Sequence, residues 1–187
     1  MYSEYINLLK EKLDDYRFTH SLAVADQAKY LAEKYGCDTE KAYLAGLLHD
    51  ITKNESNESH LQLFNKFGII LSETEKNSPK LWHAISGAAY INNELKIADN
   101  DIISAVRHHT TAKKDMTLLE KIVYIADFTS RDRKYSDVET VRALVEVSLE
   151  KAIIYALKYT INDLIKKNMP VHEDTLKAYN FLVVRED

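Results

Sequence analysis

The chain has 187 residues, 45% of them apolar, enough to build one domain with a substantial core. Only four Gly and two Pro argue against a turn-rich β protein, and a net charge of −4 across 29% charged residues gives no global basis for nucleic-acid binding. The single Cys37 excludes an internal disulfide and fits a reducing cytoplasm; the first residues do not form a signal peptide, and no apolar run approaches the roughly 20 residues of a membrane span.

Helical periodicity runs through nearly the whole chain. Residues 4–13 read as a short amphipathic helix. Over 17–35, Leu22, Val24, Ala25, Ala28, Leu31 and Ala32 recur at helical spacing, and Gly36 supplies the stop. Asp38-Thr39 offers a cap to a helix that ends at His49-Asp50. Residues 52–60 are polar and read as a loop with His60 exposed, and 65–70 read as a short helix closing at Gly68. Ser78-Pro79 opens another helix, with Pro in the first turn where its missing N–H costs nothing. Helices over 99–109 and 118–128 follow. A long helical stretch from about 138 to 168, with room for one break, stops before Pro170, and His172-Glu173-Asp174-Thr175 opens a last short helix. The expectation is an all-α helical bundle, a single domain over 1–187 with a C-terminal helical extension from about 138.

Six groups with metal-ligand chemistry fall on the inward faces of these helices: His20, the doublet His49-Asp50, His83, His109 and Asp127. Residues three, four, seven and eight apart share a helix face. His20 therefore stacks with Val24, Ala28 and Leu31; His49 with Ala42, Ala45 and Gly46; Asp127 with Leu119 and Val123. His83 lines up with Gly87, where another helix is expected to approach closely. His109 continues Ile102, Ala105 and Val106, whereas His108 continues Asp101 and Ser104 and points to the edge. A lone His on an apolar face is more often a hydrogen-bonded core residue than a ligand. Six such groups would each need a separate buried partner, and a divalent metal, or a pair, satisfies them together.

The order His20, His49-Asp50, Asp127, with His83 and His109 added, resembles the HD-domain metal-dependent phosphohydrolases in their two-metal form. The fuller segments Arg17-Phe18-Thr19-His20-Ser21, His49-Asp50-Ile51-Thr52-Lys53, Leu81-Trp82-His83, Arg107-His108-His109-Thr110-Thr111, Ile125-Ala126-Asp127 and Val171-His172-Glu173-Asp174-Thr175-Leu176 resemble the YqeK family over nearly the whole chain. Two loops depart from that pattern. Ala112 stands where the family usually has Gly, and Thr129-Ser130-Arg131-Asp132-Arg133 replaces a Pro-Gly turn before an Arg. The resemblance implies symmetrical hydrolysis of diadenosine tetraphosphate to two ADP at a di-iron centre. Mixed imidazole and carboxylate ligands also suit Mn, Co or Zn better than Mg.

On this reading Asp50 bridges two metals, His20, His49 and Asp127 hold one, and His83 and His109 hold the other. The expected nucleophile is a metal-bridging hydroxide, since no Ser or Cys is placed for covalent catalysis. A polyphosphate also needs cations. Lys53 lies one turn past the doublet, while Arg17 and Arg133 could clamp phosphate bidentately. Asp50 and Lys53 are the expected catalytic groups; Arg17, His20, Lys53, Thr110, Thr111 and Arg133 are the expected substrate contacts. Arg131 and Lys113 read as surface charges, and His172 has no evident role. The implied partner is a dinucleoside polyphosphate or other nucleotide, with neither nucleic acid nor membrane, and pairing into a homodimer is compatible with an all-helical chain of this size. A phosphohydrolase of another nucleotide and a nucleotide-sensing module stay open as alternatives.

Overall fold

The structure, a computed structural model, describes residues 2–185. These residues form α1 (Ser3–Lys12), α2 (Asp15–Tyr35), α3 (Thr39–Leu48), α4 (Asn57–Phe67), α5 (Glu73–Lys76), a 3-10 turn (Pro79–Leu81), α6 (Trp82–Asn93), α7 (Asn100–His108), α8 (Leu118–Thr129), α9 (Val138–Val147), α10 (Leu149–Lys166) and α11 (Glu173–Val183). The fold is all-α, and no helix among the described residues is long and apolar enough to cross a membrane.

Local chemistry sets the helix ends. Asp14, Asp38 and Asp99 each accept backbone N–H groups at the start of α2, α3 and α7. Thr117 and Glu120 form a reciprocal capping box on α8, as Ser72 and Glu75 do on α5. Gly36 ends α2 with a φ of 74°, a left-handed turn that Gly adopts without a Cβ penalty. The long C-terminal stretch breaks once, at Ser148, whose extended backbone closes α9 while its hydroxyl caps α10.

The polar stretch 52–60 corrects the sequence-based expectation. Ser56 accepts from Ser59 N–H and starts α4, eight residues earlier than the short helix expected at 65, although Gly68 closes it as anticipated. His60 is buried, with Nδ1 2.9 Å from Ser86 Oγ and its ring against Phe64 and Trp82. The mostly polar composition of α4 hid a narrow inward stripe, His60 and Phe64, which joins Trp82 and Ile85 in a small satellite cluster.

The main core lies among α2, α3, α7, α8 and α10, where Val24, Ala25, Ala28, Ala45, Ile122 and Val123 are fully buried. Small residues let α2 and α3 run close together. A Cβ added at Gly46 would lie 3.0 Å from both Ala25 Cα and Val24 O. Gly87 is looser than the sequence suggested: a Cβ there would meet Thr52 Oγ1 at an ordinary 3.4 Å. The close approach at Gly46 sets His20 on α2 beside His49 at the end of α3, their ring centroids 5.2 Å apart.

Candidate metal centre

All six predicted ligands converge, drawn from α2, the end of α3, α6, the end of α7 and α8. Three overlapping triads, His20–His49–Asp50, His49–His109–Asp127 and Asp50–His83–His109, each bring one ligand atom per residue within 4.8 Å of one another. Asp50 stands between two groups. Its Oδ2 lies 3.6 Å from His49 Nε2, and its Oδ1 lies 3.2 Å from His83 Nε2 and 3.6 Å from His109 Nε2. Asp127 Oδ1 sits 2.9 Å from His20 Nε2 and 3.9 Å from His49 Nε2. His108 is half-buried, its Nδ1 2.9 Å from Ser104 O, outside the cluster as its helix phase predicted.

The outer ring nitrogens are already committed. His49 Nδ1 donates to Gly46 O at 2.7 Å and His109 Nδ1 to Val106 O at 2.7 Å, which leaves each Nε2 lone pair turned to the centre. His20 Nδ1 faces Asp132 Oδ2 at 2.7 Å in the same manner. Burial pulls the His49 pKa down to about 4, so this imidazole is neutral and able to bind a cation. Burial opposes charge on Asp50 and Asp127 as well, yet the Lys53 ammonium beside Asp50 and the Arg133 guanidinium beside Asp127 hold both carboxyls well below the usual carboxylate range. His49 Nε2 and Asp50 Oδ1 are buried and make no hydrogen bond within the protein. Neutral imidazoles, ionised carboxylates and unsatisfied ligand atoms in one buried place fit a divalent cation.

Three cations rim the cluster. Arg17 Nη1 lies 3.2 Å from Asp50 Oδ2, Lys53 Nζ 3.5 Å from Asp50 Oδ1 and 3.0 Å from His83 Nε2, and Arg133 pairs with Asp127 and donates to its carbonyl. Each is about one-quarter exposed, reaching solvent on one side and the carboxylates on the other. Burial, opposed by Asp50, lowers the pKa of Lys53. Thr110 Oγ1 sits 3.0 Å from His109 Nε2 and 3.3 Å from His83 Nε2. Thr111 is buried, its hydroxyl donating to Ala112 O at 2.9 Å. Arg131 points outward to Asp26, in keeping with a surface charge, whereas Lys113 pairs with the buried Glu120.

Periodicity missed two residues. Asp132, in the loop after α8, orients His20, and its only sequence signal was an acidic residue five positions beyond the last ligand. His172 caps α11, its Nδ1 accepting from Asp174 N–H at 3.1 Å, while Thr175 Oγ1 donates to Thr111 O at 2.8 Å and ties this tail to the loop after His109. In that loop Ala112 has a φ of 57°, the left-handed backbone that a Gly would adopt more easily, with its methyl fully buried.

The HD domain family model matches residues 17–132, a span that holds all six cluster residues and Asp132. The chain is 38% identical over 180 residues to a Bacillus subtilis (strain 168) protein named "Bis(5'-nucleosyl)-tetraphosphatase, symmetrical", with 96% of each chain covered. A protein of the same name from Staphylococcus aureus (strain NCTC 8325 / PS 47) is 34% identical over 176 residues, 93% of this chain and 90% of its own. A crystal structure described as a "predicted HD superfamily hydrolase involved in NAD metabolism from Clostridium acetobutylicum" superposes with a TM-score of 0.96 at 34% identity, covering 100% of this chain and 98% of that one. With a family match across most of its length and these relatives along nearly all of it, the chain belongs to the HD domain family.

Proposed function

We propose that this chain hydrolyses dinucleoside polyphosphates, cutting diadenosine tetraphosphate symmetrically into two ADP, with two divalent metal ions, iron by resemblance, held in its core. The observation that carries the reading is the cluster itself, in which six ligand-type side chains converge and two buried ligand atoms have no protein partner. The names of relatives similar over nearly the full chain supply the substrate. His20, His49 and Asp127 would hold one ion and His83 and His109 the other. Asp50 would serve both, one carboxylate oxygen toward each group. When bound, such a pair acidifies a water at neutral pH and neutralises phosphoryl oxygens.

The chain's own groups do the rest. Backbone carbonyls at Gly46 and Val106 and the Asp132 carboxylate fix the imidazole orientations, so the ligand set is preorganised. Arg17, Lys53 and Arg133 ring the carboxylates with positive charge, and phosphoryl oxygens entering from the solvent side meet them first. Thr110 adds a hydroxyl donor beside His109. Burial of the cluster keeps bulk water away and strengthens each of these interactions. Chromatography of the products from diadenosine tetraphosphate tests the reading. ADP alone supports it; AMP with ATP would exclude the symmetrical cut.

A further inference from the structure

The last turn of α8 carries Asp127, and the loop after it carries Asp132 and Arg133. The final carbonyls of a helix have no partner within it and must find one elsewhere. Here Ser130 N–H donates to Ala126 O at 2.9 Å, and side chains serve the next three. Arg133 Nε donates to Asp127 O at 2.7 Å, Tyr135 Oη to Phe128 O at 3.1 Å and Arg142 Nε to Thr129 O at 3.1 Å. Arg133 and Tyr135 lie close behind the helix end, whereas Arg142 reaches in from α9.

Arg142 does more than close the helix. Its Nη2 donates to Ser130 O at 2.6 Å and to Arg133 O at 3.4 Å, so one guanidinium holds three carbonyls of the same loop. Its Nη1 pairs with Glu139, which is 80% exposed and adds little. The segment Thr129-Ser130-Arg131-Asp132-Arg133 contains neither Gly nor Pro, the residues that most often set a loop's backbone by themselves. Its path therefore depends on these contacts, with Arg133 N–H returning to Ser130 O at 3.0 Å. Two side chains on that path meet the cluster. Asp132 Oδ2 lies 2.7 Å from His20 Nδ1, and Arg133 pairs with Asp127. Arg142 itself lies beyond residue 132, where the match to the family model ends.

We propose that Arg142 is a positioning residue for the metal centre: by fixing the carbonyls of Thr129, Ser130 and Arg133 it holds Asp132 against His20 and Arg133 against Asp127. The inference rests on the metal-hydrolase reading above and extends it to a helix that supplies no ligand. A guanidinium suits the task because its planar fork serves several carbonyls at once, and its charge complements the negative end of the α8 dipole.

Chelator competition for Fe(II), run well below the thermal midpoint, tests the assignment without requiring turnover. Arg142→Met is expected to lower iron affinity about tenfold, a loss typical of a missing ligand-orienting contact. Because the effect runs largely through Asp132, combining Arg142→Met with Asp132→Ala is expected to cost well under the product of the two single losses. A guanidinium that only stabilised the end of α8 would lower the thermal midpoint of Arg142→Met and leave the iron affinity of the folded protein at the wild-type value. That result, or single losses that multiply in the double variant, would overturn the proposal. Arg142→Lys, which keeps the charge and lacks the fork, enters the same cycle and is read the same way if Arg142→Met does not fold. Failure of the hydrolase reading looks different: the affinities follow the expected pattern while iron-loaded wild-type protein releases no ADP from diadenosine tetraphosphate.

Discussion

Asp132 gives His20 a fixed tautomer: with Nδ1 held by the carboxylate at 2.7 Å, Nε2 is the only ring nitrogen left for the centre. Loss of such an orienting partner typically weakens metal binding by about 10- to 100-fold. Asp132→Ala is therefore expected to lower metal affinity by about that factor in chelator competition, with little change in the thermal midpoint. An unchanged affinity would reduce Asp132 to a loop contact. Lys53 plays a different part, since it is no ligand but stands 3.0 Å from His83 Nε2 with one side open to solvent. In Lys53→Ala, turnover is expected to fall about a hundredfold while metal content stays near that of the wild type. A drop in metal content of the same size as the drop in turnover would show that Lys53 acts by holding the cluster together instead.

At the scale of helices, the site depends on how closely α2 and α3 approach. The atoms a Cβ at Gly46 would meet, Ala25 Cα and Val24 O at 3.0 Å and the Ala28 methyl at 3.1 Å, have no rotamer to yield. Gly46→Ala is expected to cost about 1–3 kcal/mol in denaturant unfolding, a typical overpacking penalty, and to weaken metal binding by parting His20 from His49. Acid acts on two other helix starts. Burial pushes Glu120 and Glu75 toward a higher pKa. Ser104, Lys113 and the Thr117 N–H outweigh this at Glu120, and the Ser72 N–H and Arg107 at Glu75, so both sit below the ordinary carboxylate value. The stability they contribute is full above their unfolded pKa of about 4.3 and is lost as pH falls through the lower folded values. Metal-free protein is expected to melt progressively lower below about pH 4.3, with a flatter acid limb in Glu120→Gln. Equal limbs would place the acid sensitivity elsewhere.

Across the whole molecule, most of the fold and the convergence of the six candidate ligands were legible because both are written in helical phase. His20, His49 and Asp127 sit in register with fully buried neighbours such as Val24, Ala45 and Val123, and the same register separated His109 from His108. What escaped lies off that register. Asp132 is in a loop, where no period says which way a side chain turns. His60 looked exposed because α4 buries only a narrow stripe, visible once Trp82 and Ser86 of α6 are seen against it. The proposed role of the six-residue cluster is phosphoanhydride hydrolysis through bound metal. Stepwise addition of Fe(II) under anaerobic conditions to metal-stripped protein, with ADP release from diadenosine tetraphosphate as the readout, decides it. The stripped protein is expected to show no turnover, the titration a rise that saturates at about two equivalents per chain, and Asp50→Ala no rise. Full turnover by stripped wild-type protein, or iron-dependent turnover by Asp50→Ala, would exclude that role.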